Sequence, residues 1–169
     1  YLDRLLVNAA RWDIEIELGT RGLDSDHIAV QARLAARCGA LLIRTLPELN
    51  RQPLTNGEVL KEAIAPLVPI LTQHDVFLGI ENGNIPSAEL AEALESVGGG
   101  RVGVVLDMVN SMAVAEGWKE VTRNLAGHVM CLHYKDFQLK RAWHNLGFYC
   151  EGVPAGKGLV DPLWLLETL

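Results

Sequence analysis

Three consecutive apolar segments of the sequence each end in a side chain that can bind a metal ion. The segments are VFLGIE, VGVVLD and HVMCLH, and their last residues are Glu81, Asp107 and His133. The spacing between them is regular, since 107 − 81 and 133 − 107 both equal 26. An ionisable group in a buried strand costs free energy unless it is paired or bound to a metal. The regular spacing therefore suggests one shared site.

Strand-like and helix-like segments alternate along the chain, and the spacing of 26 corresponds to one strand–helix unit. The predicted strands are 13–18, 40–46, 76–81, 102–107 and 128–133. The predicted helices are 25–39, 56–74, 87–98 and 117–128, with caps at Asp24 or Ser25, Asn56 and Ser87 and ends at Gly39 and Gly98. This alternation is typical of a parallel sheet with helical crossovers.

Two nucleotide-binding signatures are absent from the sequence. No GxGxxG follows the first predicted strand, and no GxxxxGK[ST] occurs. The GKG at 156–158 lacks the spacing of a phosphate loop and is read as a tight turn. A (β/α)8 barrel is therefore favoured over the nucleotide-binding folds.

Equivalent strand ends of such a barrel converge on its C-terminal rim. Two carboxylates and an imidazole gathered there would repel or desolvate one another unless a cation lay between them. Any one of Glu81, Asp107 and His133 could instead be a strand-end residue bonded to a loop backbone. Their recurrence on three successive strands favours a metal site.

Composition limits the class of protein. The chain has 169 residues, 49% of them hydrophobic, which suits one sizeable core. The net charge of −6 argues against nucleic-acid binding. The sequence has no run of 18 apolar residues, so it predicts no membrane span. The odd number of cysteines, without a CxxC pair, argues against a disulfide framework. We therefore expect a reducing, cytoplasmic location.

Four motifs in order carry a family resemblance: GIENGN (79–84), VGVVLDMVN (102–110), LHYKDF (132–137) and GVPAGKGLVD (152–161). Together they resemble the xylose isomerase-like TIM barrels, which include sugar and sugar-phosphate isomerases and epimerases, inosose dehydratases and endonuclease IV nucleases. The resemblance implies an α/β fold, a partial (β/α)8 TIM barrel whose five parallel strands are the second to sixth. It also implies one domain over 1–169, incomplete at both ends.

The resemblance further implies that Glu81, Asp107 and His133 bind a divalent metal, with a second glutamate expected beyond Leu169. One nitrogen and several oxygens suit Mn²⁺, Mg²⁺ or Co²⁺ at least as well as Zn²⁺. The implied function is a metal-dependent isomerase or epimerase of a keto- or aldo-sugar or sugar phosphate. Proton abstraction gives an enediolate that the metal stabilises, and Glu81 is the candidate catalytic residue. Without the second glutamate, we expect the fragment alone to be inactive.

Other polar residues near the strand ends are candidates for binding substrate. Lys135 should point the same way as His133, and Asn82 and Asn110 follow metal ligands closely. Asp136 is a candidate to support His133 or to fix the loop. A solvated Lys135–Asp136 pair and local turn bonding by the asparagines are the competing accounts.

A long loop is predicted at 137–160, where glycines are frequent and helical periodicity is absent. Arg141 and Lys157 in this loop suit a phosphate or carboxylate on the substrate, although simple surface charge also explains each of them. Arg44 and Glu17 are weaker candidates for the rim.

Three alternatives stay open. A nuclease needs additional histidines at strand ends, and Asn110 stands where that branch would place one. A dehydratase acting on a keto-inositol or a dehydroshikimate-type acid would use the same chemistry. A barrel that only binds a sugar, or an inactive partial chain, is the alternative of another class. The expected partner is a small sugar or sugar phosphate, and a homo-oligomer is possible.

Overall fold

The computed structural model describes residues 2–98 and 100–169. Its helices are α1 (Leu2–Arg11), α2 (Ser25–Cys38), α3 (Gly57–Ile64), α4 (Leu67–His74), α5 (Ser87–Val97), α6 (Trp118–Leu125) and α7 (Pro162–Thr168). Its strands are β1 (Leu18–Arg21), β2 (Leu42–Leu46), β3 (Glu48–Leu49), β4 (Gln52–Pro53), β5 (Phe77–Glu81), β6 (Val102–Asp107), β7 (Val129–His133), β8 (Asp136–Arg141) and β9 (Phe148–Val153). Short 3₁₀ helices cover Asn110–Val114 and Ala126–His128.

Five of the strands form one parallel sheet in the order β1–β2–β5–β6–β7. Each strand adds to the same side of its predecessor, with helices in the connections, as in a TIM barrel. The predicted fold, a five-stranded part of such a barrel, is confirmed. The register sets Asp107 opposite His133 and Glu81 opposite Val105, so the three predicted ligands lie at one end of adjacent strands.

The hydrophobic core lies between the sheet and its helices. It takes alternate residues of the central strands, all completely buried: Ile43, Leu78, Ile80, Val104 and Leu106. Each such side chain contributes about 1.5–3 kcal/mol through burial. Because successive strand residues point to opposite faces, Glu81 and Asp107 are directed to the other face, away from this core.

That other face, the inner face of the sheet, is closely packed beneath the predicted ligands. A β-carbon on Gly79 would lie 2.6 Å from Cγ2 of Val105. One on Gly103 would lie 2.6 Å from the carbonyl oxygen of His128. Only glycine therefore fits these two strand positions without a shift of the neighbours.

Most helix limits agree with the sequence prediction, with one clear exception. Asp24 and Asn56 cap α2 and α3 through their side chains, and Gly39 ends α2 in a left-handed conformation. The segment predicted as one helix over 56–74 is two helices, α3 and α4. Pro66 lies at the break, where its ring and missing N–H disrupt a continuous helix.

The prediction of a strand over 13–18 was wrong for most of that segment. Strand β1 begins only at Leu18, the first residue with a partner in β2, namely Ile43. Asp13 has a φ of 53°, and the N–H of Ile14 bonds back to Ala9 in α1. The alternating DIEIE pattern thus belongs to the turn after α1 and to unpaired chain.

The prediction of a long loop over 137–160 was also wrong. Most of this segment forms an antiparallel hairpin of β8 and β9, in register from Asp136 with Val153 to Arg141 with Phe148. Its turn has Asn145 at a φ of 62° and a bond from the N–H of Ala142 to the carbonyl of Gly147. Among the described residues, no helix is both long and apolar enough to cross a membrane.

Candidate active site

Glu81, Asp107 and His133 lie together at the ends of β5, β6 and β7. One ligand atom from each can be chosen so that all three lie within 4.8 Å of one another. Glu81 and Asp107 are 6% and 0% exposed, whereas the His133 side chain is 33% exposed. The two carboxylates therefore lie at the buried side of the group, and the imidazole lies at its solvent-exposed side.

Each carboxylate has one oxygen fixed by hydrogen bonds from the loop that follows β6. Oδ1 of Asp107 accepts from the backbone N–H groups of Val109 (3.0 Å) and Asn110 (3.3 Å). Oε1 of Glu81 accepts from the side-chain amide of Asn110 at 2.9 Å. Asn110 thus orients both carboxylates. Its bond to Glu81 goes beyond the local turn bonding that the sequence also allowed.

The second oxygen of each carboxylate is buried and free of directed hydrogen bonds. Among the described residues, neither Oε2 of Glu81 nor Oδ2 of Asp107 has a partner of hydrogen-bond geometry. Nδ1 of His133 lies 3.7 Å from Oε2 of Glu81. Two buried anionic oxygens beside an imidazole nitrogen are a donor set that suits a divalent cation. The residues present therefore fit the metal that the resemblance implies.

Two positively charged side chains touch the same free oxygens. Nε of Arg44, on β2, lies 2.8 Å from Oε2 of Glu81, and Nζ of Lys135 lies 2.5 Å from Oδ2 of Asp107. Nζ of Lys135 also lies 3.4 Å from Oδ1 of Asn110. The predicted direction of Lys135 into the site is therefore observed, and Arg44 lies closer to the site than its sequence position indicated.

Asn82 is buried and bonded to protein on all sides of its amide. Its Oδ1 accepts from the N–H of Asp107 at 2.6 Å, and its Nδ2 donates to the Asp107 carbonyl at 3.0 Å. Nδ2 also donates to Oγ of Ser111 at 2.9 Å. With these bonds made, Asn82 holds the end of β6 in place, and both N–H groups of its amide are taken by protein atoms.

Asp136 fixes a loop and does not contact His133. Its carboxylate accepts hydrogen bonds from the N–H groups of Phe137, Gly158 and Val160 at 2.8, 2.7 and 3.1 Å. Burial raises the pKa of Asp136, but these N–H donors outweigh burial and hold the pKa below its usual value. A β-carbon on Gly158 would collide with this carboxylate, so the GKG turn has a glycine where the loop meets Asp136.

Arg141 lies far along the hairpin from this group. Its guanidinium donates to the carbonyl of Asn145 at 3.0 Å and stacks over the ring of Phe148. Within residues 2–98 and 100–169, no ion pair of Arg141 or Lys157 is found. The structure thus does not bring Arg141 to Glu81, Asp107 and His133.

A cleft of about 1370 Å³ opens beside the group, and both Arg44 and His133 line it. Its walls also carry polar residues that sequence reasoning missed: Arg21, His27, Glu48 and Arg51. Arg21 pairs with the buried Glu48 at 3.4 Å. The signal for them was weak: the predicted first strand, 13–18, stops short of Arg21 at the end of β1, His27 lies in α2, and Glu48 and Arg51 lie in β3 and the turn after it.

Solved structures with the same architecture define the class of fold. A xylose isomerase domain protein from Planctomyces limnophilus superposes with a TM-score of 0.75, 16% identity and coverage of 99% of this chain and 70% of that one. A D-tagatose 3-epimerase-like protein gives 0.74, with 15% identity and the same coverages. A xylose isomerase-like barrel from Mycobacterium smegmatis in complex with magnesium gives 0.72, with 13% identity and coverages of 98% and 65%. The chain has the xylose isomerase-like TIM-barrel fold.

One curated relative is similar in sequence across nearly the whole chain. It is a 3-oxo-isoapionate decarboxylase from Pectobacterium atrosepticum, 30% identical over 169 residues. The match covers 99% of this chain and 61% of the length of the relative. No family model matches the sequence.

Proposed function

We propose that this chain carries the metal-binding part of an enzyme that converts an oxidised sugar or sugar acid through its enolate. The observation that carries the proposal is the meeting of Glu81, Asp107 and His133 on three adjacent strand ends. A divalent cation held by these residues would act as a Lewis acid toward a substrate oxygen. Mn²⁺, Mg²⁺, Co²⁺ and Zn²⁺ all suit this donor set.

The remaining side chains of the site have roles that follow from their contacts. Asn110 keeps the free oxygens of Glu81 and Asp107 directed at a common volume by bonding the other two. Lys135 brings an ammonium group to that volume, where it can stabilise negative charge that develops on an oxygen. The cleft beside Arg44 and His133 has room for a sugar-sized molecule.

Decarboxylation of a 3-oxo sugar acid is the reaction we favour, because the curated relative bears the name of such an enzyme. In that reaction the bond between the carboxylate and the α-carbon breaks, and CO₂ leaves. The electron pair passes to the 3-oxo group, forming an enolate, and a proton then adds to the α-carbon. No base has to remove a proton, and Lys135 is the candidate to stabilise the enolate oxygen or return the proton.

Isomerisation or epimerisation of a keto- or aldo-sugar is the second candidate. The D-tagatose 3-epimerase-like protein supports it through its fold. Here Glu81 would remove the proton beside the carbonyl, which needs its free oxygen Oε2 within hydrogen-bond reach of that proton. A second acid–base group would then have to return a proton to the enediol.

The test is a comparison of two glutamine variants of the full-length protein. Glu81→Gln removes a proposed ligand, whereas Glu48→Gln changes another buried glutamate of the same rim that is paired with Arg21. We expect Glu81→Gln to weaken Mn²⁺ binding at least tenfold, on the order of losing one ligand or its support. Glu48→Gln should leave Mn²⁺ binding within about twofold.

Activity is measured in parallel. CO₂ release from 3-oxo sugar acids tests decarboxylation, and exchange of solvent deuterium into keto-sugars tests isomerisation and epimerisation. Metal binding that is equal in both variants, together with no change in either assay, would reject the proposal. If the protein binds metal and sugar but shows no turnover, the result supports the alternative of a barrel that only binds a sugar.

A further inference from the structure

The free oxygens of the candidate metal site are shared with two side-chain cations. Oε2 of Glu81 is 2.8 Å from Arg44, and Oδ2 of Asp107 is 2.5 Å from Lys135. These are the oxygens that the loop after β6 leaves free of directed hydrogen bonds. A divalent cation and the two side chains therefore compete for the same atoms.

Charge makes this competition strong. Two positive groups a few ångströms apart repel each other strongly where little water separates them. Asp107 is fully buried, so water screens its surroundings poorly. A bound divalent ion would thus weaken both ion pairs.

Both side chains are able to move away from their carboxylates. The Arg44 side chain is 32% exposed and the Lys135 side chain is 53% exposed. Arg44 lines the large cleft together with His133, so its guanidinium stays beside the site when it leaves Glu81. An arginine and a lysine released next to a metal form a binding place for an anion, such as a carboxylate or phosphate.

We propose that metal binding transfers Arg44 and Lys135 from the protein's own carboxylates to an anionic group of the substrate. The metal and the anion then bind cooperatively, and neutral sugars are disfavoured as substrates. This inference rests on the proposed metal site, and it adds the two residues that select for an anionic substrate and their coupling to the metal.

The test measures how an anion changes metal affinity. Mn²⁺ is titrated into the full-length protein, and free Mn²⁺ is followed by electron paramagnetic resonance, in chloride and in acetate at equal ionic strength. A titration without protein corrects for acetate binding to Mn²⁺. We expect acetate to tighten Mn²⁺ binding about fivefold or more, a typical size for coupling between sites.

Three variants assign the coupling. Arg44→Gln and Lys135→Gln should each bind Mn²⁺ more tightly in chloride and lose most of the acetate effect. Arg21→Gln removes a cation from the same cleft that pairs with Glu48 and not with either ligand, so the acetate effect should remain. Circular dichroism melting checks that each variant is folded.

The outcomes separate this inference from the proposed function. If the wild-type protein binds no Mn²⁺, the metal site itself is rejected. If it binds Mn²⁺ with no acetate effect, or if Arg44→Gln and Lys135→Gln keep the effect, the anion inference is rejected while the metal site stands. If Arg21→Gln loses the acetate effect to the same extent, the effect comes from the general charge of the cleft, and the anion inference is rejected.

Discussion

At the scale of single residues, the site depends on amides that hold the carboxylates. Asn110 donates hydrogen bonds to the carboxylate oxygens of Glu81 and Asp107, whereas Asn82 bonds the backbone N–H and carbonyl of Asp107. Asn82 can do this because its side chain carries a donor and an acceptor on one short, rigid group. An aspartate in place of Asn82 would lose this donor, and its carboxylate oxygen would repel the carbonyl oxygen of Asp107.

We expect Asn82→Ala to lower the free energy of unfolding by about 1–3 kcal/mol, because it leaves the Asp107 N–H and carbonyl unpaired in the interior. Mn²⁺ affinity should fall tenfold or more, since the strand end that carries the ligand loses its support. Ser111→Ala is the matched control, because it removes one bond of Asn82 and keeps both bonds to Asp107. Calorimetric metal titration and urea unfolding measure the effects. Equal metal affinity in the two variants would contradict a positioning role for Asn82.

The meeting of Glu81, Asp107 and His133 could be predicted from sequence because strand period and unit length are local properties. A residue at the end of an apolar run is visible in the sequence, and three runs in constant spacing imply convergence. The contacts of Arg44, Asn82 and Asp136 could not be predicted in the same way. They depend on which backbone or carboxylate atoms lie nearby in space, and the sequence offered two plausible partners for each asparagine and for Asp136.

At the scale of elements, one carboxylate ties the start of the hairpin β8–β9 to the loop that follows the hairpin. Asp136 begins β8, three residues after His133, and binds N–H groups on the far side of the hairpin at Gly158 and Val160. The first strand of the hairpin could have been found from sequence, because residues 136–140 alternate polar and apolar side chains. Strand β9, FYCEGV, does not alternate in this way, so its pairing with β8 is visible only in the structure.

Asp136 should make stability depend on pH. Its pKa is lower in the folded protein than in the unfolded chain, so its contribution is present above the unfolded pKa, near 4, and is lost as pH falls through the folded pKa. Asp136→Asn should therefore lower the melting temperature most at pH 6, and the difference from wild type should shrink toward pH 3. The exposed Asp26 supplies the control, since Asp26→Asn should leave a small difference at each pH. A loss for Asp136→Asn that is the same at pH 6 and pH 3 would count against this account.

At the scale of the whole molecule, the sheet curls so that its first and last strands approach each other across the inner face. Glu17, just before β1, and Cys131, on β7, line one cleft of about 960 Å³. Burial, then the carboxylate of Glu17, raises the pKa of the Cys131 thiol. The strand order predicted from sequence implies such a curl, but only the structure shows which side chains meet.

The curl predicts a specific cross-link. In a Cys38→Ser, Cys150→Ser background, Glu17→Cys should be joined to Cys131 by oxidation or by a short bis-maleimide. Thr20→Cys should not, because Thr20 bonds His27 on the helix side of β1. Mass spectrometry of proteolytic peptides measures both yields. Equal yields in the two variants would mean that the sheet is flatter than described.

The separation of the two strand faces has a consequence for how such a protein can change over time. Residues 78, 80, 104 and 106 pack against the helices, while Glu81 and Asp107 point to the opposite face, into the candidate site. Substitutions of side chains that face the candidate site can change that site and leave the packing against the helices intact. An inserted or deleted residue within a strand would exchange the two sets at once. New activities on this scaffold should therefore arise by replacement within strands and by length changes only in the connections.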